Sequence, residues 1–190
     1  MYKKISALLF ALLILPAAAP GVEPAPAPPS VSATGYLLID VDSDRILAAK
    51  DSEQRLEPAS LTKIMTTYLV FRELRDGSVK ESDEVLVSEK AWKTPGSRMF
   101  IEVNKRVTVA DLLKGMIIQS GNDASVALAE HVAGSEEAFA NLMNDHAQRL
   151  GMRDTHFVNA TGLPDPDHYT TPRDIVMVTE DEQGQRLIRY

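Results

Sequence analysis

Six of the eleven prolines in this 190-residue chain fall at or before Pro29, and this limits how much of the sequence can fold. Proline lacks a backbone donor and fixes φ, so a dense Pro/Ala stretch cannot be built into a helix or an inner strand. Residues 20–30 therefore read as an extended linker. Ahead of it, Lys3 and Lys4 precede an almost unbroken apolar run from Ile5 to Leu15, then Ala17, Ala18 and Ala19. Those 11 residues fall short of the roughly 20 that a bilayer-spanning helix needs. A basic front, a short apolar run and small residues predict a secretory signal peptide over residues 1–19. Cutting after Ala19 leaves Pro20 first, and Ala25-Pro26-Ala27 is equally awkward, so cleavage and retention as an anchor both stay open. The folding unit is residues 31–190, one domain with enough chain for a core without staples.

The whole chain carries 20 basic and 27 acidic residues; without its first 30 residues the balance is 18 against 26, a charge of −8. Nucleic-acid binding rests on clustered Lys and Arg, so no nucleic-acid partner is expected. The chain has no cysteine, which excludes disulfides, zinc–thiolate sites and a Cys nucleophile. No His-Glu-x-x-His zinc motif occurs either. Chemistry falls to Ser, Thr, Lys, His or carboxylates.

Two short apolar runs, Gly35–Ile39 and Ile46–Ala49, flank an Asp/Ser turn and predict a hairpin. After Pro58, the residues Leu61, Ile64, Met65, Tyr68 and Leu69 keep helical spacing up to a stop at Gly77. Val85–Val87 reads as a strand; Arg98–Val103 and Val107–Val109 read as weaker ones joined by Asn104-Lys105. Thr108 and Asp111 form a helix start ahead of Leu112-Leu113. A second helix follows Ser120-Gly121-Asn122, capped by Asn122 or Asp123 and ending at Gly134. Ser135 caps a third, with Phe139, Leu142, Met143 and Leu150 on one face and Gly151 as its stop. His146 lies on that apolar face and reads as a core or boundary residue. Thr171-Pro172 opens a last helix.

Ser60 and Lys63 are three residues apart at a helix start, so they share a face. A serine hydroxyl needs a base to become a nucleophile, and a lysine serves only when neutral. Burial and the positive helix end both disfavour its charge. With 13 Ser and 9 Lys, chance alone supplies roughly 0.6 such Ser-x-x-Lys pairs, so the pair decides nothing by itself. Ser120-Gly121-Asn122 sits between two apolar helices, where a plain turn would also use Gly. Its chemical reading is a Ser120 hydroxyl that relays a proton and an Asn122 amide that holds a substrate carbonyl.

The two elements, in this order and sixty residues apart, resemble the serine D-Ala-D-Ala carboxypeptidases, the low-molecular-mass penicillin-binding proteins. The likeness extends through Glu57-Pro58-Ala59-Ser60-Leu61-Thr62-Lys63, Gly96-Ser97-Arg98-Met99-Phe100, Leu112-Leu113-Lys114-Gly115, Ile118–Ala124 and Asn159-Ala160-Thr161-Gly162-Leu163. It implies an α+β, β-lactamase/transpeptidase-like fold: a front strand pair and a mostly helical body. It implies Ser60 as nucleophile, Lys63 as its base, Ser120 as proton relay and Asn122 as substrate contact. The implied partners are a peptidoglycan stem peptide ending in D-Ala-D-Ala, and β-lactams as inhibitors, and the implied mechanism needs no metal or organic cofactor. The implied place is the periplasm, with membrane contact only through an uncleaved signal segment.

The resemblance also implies a third motif, Lys-Thr-Gly, which these 190 residues do not contain. Lys93-Thr94 is followed by Pro95, and Thr161-Gly162 is preceded by Ala160. The run Glu180–Gln185 is polar where the family continues as an apolar helix. The expectation is a truncated or frameshifted domain without the C-terminal strands of its sheet, poorly stable and weakly active or inactive. The rivals are a non-catalytic fragment of such an enzyme and a β-lactamase of the same fold. Against the latter, no Glu-x-x-Leu-Asn string follows Asn122. A Ser-His-Asp hydrolase is disfavoured because the chain has no Gly-x-Ser-x-Gly elbow.

Overall fold

The computed structural model describes residues 30–40 and 42–178. The signal peptide, nearly all of the linker and the polar run Glu180–Gln185 lie outside the described residues. Strands β1 (Tyr36–Asp40) and β2 (Arg45–Lys50) form the expected antiparallel pair, Tyr36 opposite Lys50. Asp40 Oδ1 closes the turn by accepting from the Ser43 amide at 3.0 Å and hydroxyl at 2.6 Å.

A 3₁₀ turn, Ala59–Leu61, leads into α1 (Thr62–Asp76), which ends at Gly77 in the left-handed conformation. Met65, Tyr68 and Leu69 are buried as their spacing predicts, but Leu61 is 53% exposed. Leu61 belongs to the 3₁₀ turn, so its side chain does not continue the α1 stripe.

Strand β3 (Glu84–Leu86) and the short helix α2 (Glu89–Lys93) follow. The strand expected over Arg98–Val103 is not one. Its Met99 and Ile101 amides donate to the Asp123 carboxylate, at 2.9 and 3.2 Å, and Phe100 between them has φ 64°. A residue held there interrupts a ladder. β4 (Arg106–Thr108) pairs with β3 instead.

The remaining body is helical: α3 (Val109–Gln119), α4 (Asn122–Ala133), α5 (Glu136–Arg149) and α6 (Pro172–Met177). Thr108, Ser135 and Thr171 cap α3, α5 and α6 by accepting an amide two or three residues into each helix. α4 departs from expectation: its cap position is Gly121, with no side-chain cap. Asn122 and Asp123 are its first residues, and their side chains turn to other partners.

Two buried clusters share α4. One joins Ala124–Leu128 of that helix to Leu112 and Met116 of α3 and to Val85, Val87 and Ala91. The other joins Ala129 to Met65 and Leu69 of α1 and to Phe139 and Met143 of α5. His146 is buried at the second, its ring edge-on to Tyr68 and bonded to Arg72, as a core or boundary residue should be. Among the described residues the strands form two separate two-stranded sheets. α1 and α4 are thus clamped side by side, so the starts of both helices converge.

Candidate active site

Ser60 lies in the 3₁₀ turn at the entrance to α1, and its hydroxyl is exposed. The preceding Ala59 has φ 47°, in the left-handed region that non-glycine residues rarely adopt. Gly162 backs against it so closely that a Cβ there would sit 1.7 Å from the Ala59 carbonyl oxygen. Only glycine fits that approach, and Gly162 itself has φ 83°. Ser120, at the end of α3, is also left-handed, with φ 56°. Strain at Ala59 and at Ser120 is held by the packing around them.

Lys63 is one turn beyond Ser60 and only 6% exposed. Its Nζ donates to Asn122 Oδ1 and to the Thr161 carbonyl, each at 2.7 Å, and lies 3.4 Å from Ser60 Oγ. Burial pushes this amine down to about 8 from the ordinary lysine value of 10.5. A neutral amine has two N–H bonds and one lone pair. The two short contacts take the N–H bonds, which turns the lone pair toward Ser60 Oγ. On the other side of Ser60, the Ser120 hydroxyl donates to the same Oγ at 3.1 Å. Ser60 Oγ thus sits between an amine and a second hydroxyl, the arrangement needed to take a proton off and hand one on.

All four sequence-predicted residues therefore come together. Asn122 is 6% exposed and engaged at both ends, because its Nδ2 also donates to the Pro95 carbonyl at 2.7 Å. Sequence reasoning missed Thr161 and Pro95, which act through backbone carbonyls and so leave no side-chain signature. Asn159 was readable in retrospect. Its Oδ1 accepts from the Thr161 and Gly162 amides at 3.1 and 2.7 Å, the Asn-x-x-Gly turn that presents the Thr161 carbonyl.

A cleft of about 450 Å³ opens at Ser60 and Ser120, walled by Ile64, Tyr68 and Phe71 of α1 and Met116 and Ile117 of α3. Among the described residues, no three His, Asp or Glu side chains gather at metal-binding distance.

The sequence pattern of the family described as D-alanyl-D-alanine carboxypeptidase, peptidase S11, matches residues 22–189. The carboxypeptidase DacC of Escherichia coli is 46% identical over 156 residues, which are 79% of this chain and 39% of that protein. Among solved structures, the carboxypeptidase DacD of Francisella tularensis superposes with a TM-score of 0.80 at 38% identity, over 85% of this chain and 39% of that one. Penicillin binding protein 5 of Haemophilus influenzae gives 0.77 at 42% identity, over 80% of this chain and 45% of that one. The chain spans about 40% of the length of these relatives. The fold expectation holds: a mixed helix-and-strand body of the penicillin-binding, transpeptidase-like type, with the strand pair in front. Sequence pattern, overall likeness and backbone superposition agree, and the chain belongs to the D-alanyl-D-alanine carboxypeptidase family, peptidase S11.

Proposed function

We propose that Ser60 is the nucleophile of a serine D-Ala-D-Ala carboxypeptidase acting on peptidoglycan stem peptides. The observation that carries this is Ser60 Oγ lying between Lys63 Nζ and Ser120 Oγ, with the amine's other contacts already filled. Ser60 Oγ attacks the carbonyl carbon between the last two D-alanines and its proton passes to Lys63. The Ser60 backbone N–H, at the start of its 3₁₀ turn, supplies half of the oxyanion site. As the C–N bond breaks, the proton returns through Ser120 to the departing amine, and D-alanine leaves. Water then attacks the Ser60 ester and frees the shortened peptide. Asn122 orients Lys63 through its carbonyl; the remaining amide N–H is the one available to a substrate carbonyl. A β-lactam acylates the same Ser60.

The reading places this reaction in the periplasm, on the strength of the signal-like front. Residues 1–190 contain no Lys-Thr-Gly, so we read turnover by this chain alone as weak. The same feature favours the second reading, a non-catalytic fragment. Intact mass after benzylpenicillin separates them: one adduct on the Ser60 peptide, lost in Ser60→Ala, supports the acyl-enzyme. No adduct, or an adduct that survives Ser60→Ala, sinks it.

A further inference from the structure

One buried histidine is unused by the mechanism above and contacts the residue next to its base. His168 is 2% exposed, and its ring has two polar contacts. The Val158 amide donates to Nδ1 at 3.1 Å, and Nε2 lies 2.8 Å from Thr62 Oγ1. A backbone N–H can only donate, so Nδ1 carries the lone pair and the proton of the neutral ring is on Nε2, directed at Thr62. Phe157 packs against the ring edge-on at 5.7 Å. Burial pushes His168 down to about 4; His156 adds to this and Asp165 opposes it.

The position of this ring matters. Residues 156–169 form a loop closed at its base by two backbone bonds between His156 and Tyr169, of 2.9 and 3.0 Å. Inside it, the Asn159 turn presents the Thr161 carbonyl to Lys63, and Gly162 abuts Ala59. Thr62 is fully buried in the first turn of α1, between Ser60 and Lys63. His168 is therefore bonded to one leg of the loop and to the first residue of α1, which lies in the chain between Ser60 and Lys63.

Building on the reading of Lys63 as the base, we propose that His168 is a positioning residue: by bonding Val158 and Thr62 at once, its neutral ring sets the spacing between the Thr161 carbonyl and the first turn of α1, and so aims Lys63 Nζ at Ser60. The ring does not touch Ser60 and takes no proton from it. Without the crosspiece, loop and helix shift independently, the Thr161 contact lengthens and water reaches the amine. Misplacements of this kind, near 1 Å, cost on the order of a hundredfold in rate.

The test uses the 190-residue chain with His168→Leu, His168→Gln and Thr62→Val. Leu fills the space without the bonds, Gln keeps a donor toward Thr62, and Val removes the acceptor from the other side. Two readouts are followed: the rate of benzylpenicillin acylation, and the titration of Lys63 by side-chain NMR, assigned with Lys63→Arg. His168→Leu and Thr62→Val should each slow acylation by about tenfold or more and move the Lys63 titration up toward the ordinary lysine value. The double variant should be no slower than either single one, because both remove the same link. His168→Gln should stay within about threefold of the parent. Parental rates and an unmoved Lys63 titration in Thr62→Val overturn the proposal, as does a His168→Gln variant as slow as His168→Leu. If His168→Leu does not fold, Thr62→Val decides. If the parent chain is not acylated at all, the carboxypeptidase reading fails, and the Lys63 titration alone still decides the role of His168.

Discussion

The front hairpin and helix α4 use similar amounts of apolar sequence very differently. In α4 every residue from Asn122 to Ala129 is buried. In β1 and β2 none is fully buried, and Leu38, Ile46 and Leu47 are each about half exposed. The hairpin has its ladder and its Asp40–Ser43 turn, but little apolar cover. A two-stranded pair of this kind is marginal in water. The site residues sit on the other side of this contrast. Ser60, Lys63, Ser120 and Asn122 all lie where α1, α3 and α4 meet, so their geometry borrows the rigidity of the buried body.

Mutations can break this contrast. Phe139→Ala, in the cluster joining α1, α4 and α5, should cost about 3–5 kcal/mol by chemical denaturation. It should also abolish penicillin acylation at temperatures where the parent is folded. A cost near that of a hairpin substitution would mean the helical body is not the stable unit.

Acid sharpens it next. His168 is held below its unfolded value, so between about 6.5 and about 4 the unfolded chain binds a proton that the folded chain does not. Stability should therefore fall as pH drops through that window, by roughly 3 kcal/mol, and level off below it. His168→Leu should flatten this part of the profile in melts compared at pH 7 and pH 4.5. An equally steep acid loss in the variant would assign it to other groups.

The site itself gives the third measurement. A lysine accepts a proton only when neutral, so with Lys63 as the proposed base acylation should rise with pH and reach half its plateau near 8. Below that, each pH unit should slow it about tenfold. A half-point near the ordinary lysine value would show that the amine is not buried in solution. The smallest effect belongs to the hairpin: Ile46→Ala should cost less than about 1 kcal/mol, since nearly half of that side chain is already in water. It should leave acylation unchanged.

Local signals were legible wherever the backbone answers to its own neighbours. The Thr108, Ser135 and Thr171 caps, the Gly77 and Gly134 stops and the hairpin turn all act within a few residues. The failures were long-range. Arg98–Val103 has the composition of a strand, but its amides are taken by Asp123 from a helix more than twenty residues on. Asn122 and Asp123 look like caps, yet both side chains have distant partners.

The sequence by itself determined which residues could be brought together at one helix start. Ser60 and Lys63 share a face because residues three apart at a helix start lie one turn from each other, and the absence of cysteine excluded a thiol nucleophile. Only the tertiary structure decided how they are aimed. The Thr161 carbonyl, the Gly162–Ala59 contact and the His168 crosspiece join segments about a hundred residues apart. Backbone carbonyls and close approaches carry no side-chain label, so their partners appear only once the core has packed α1 against α4 and α5.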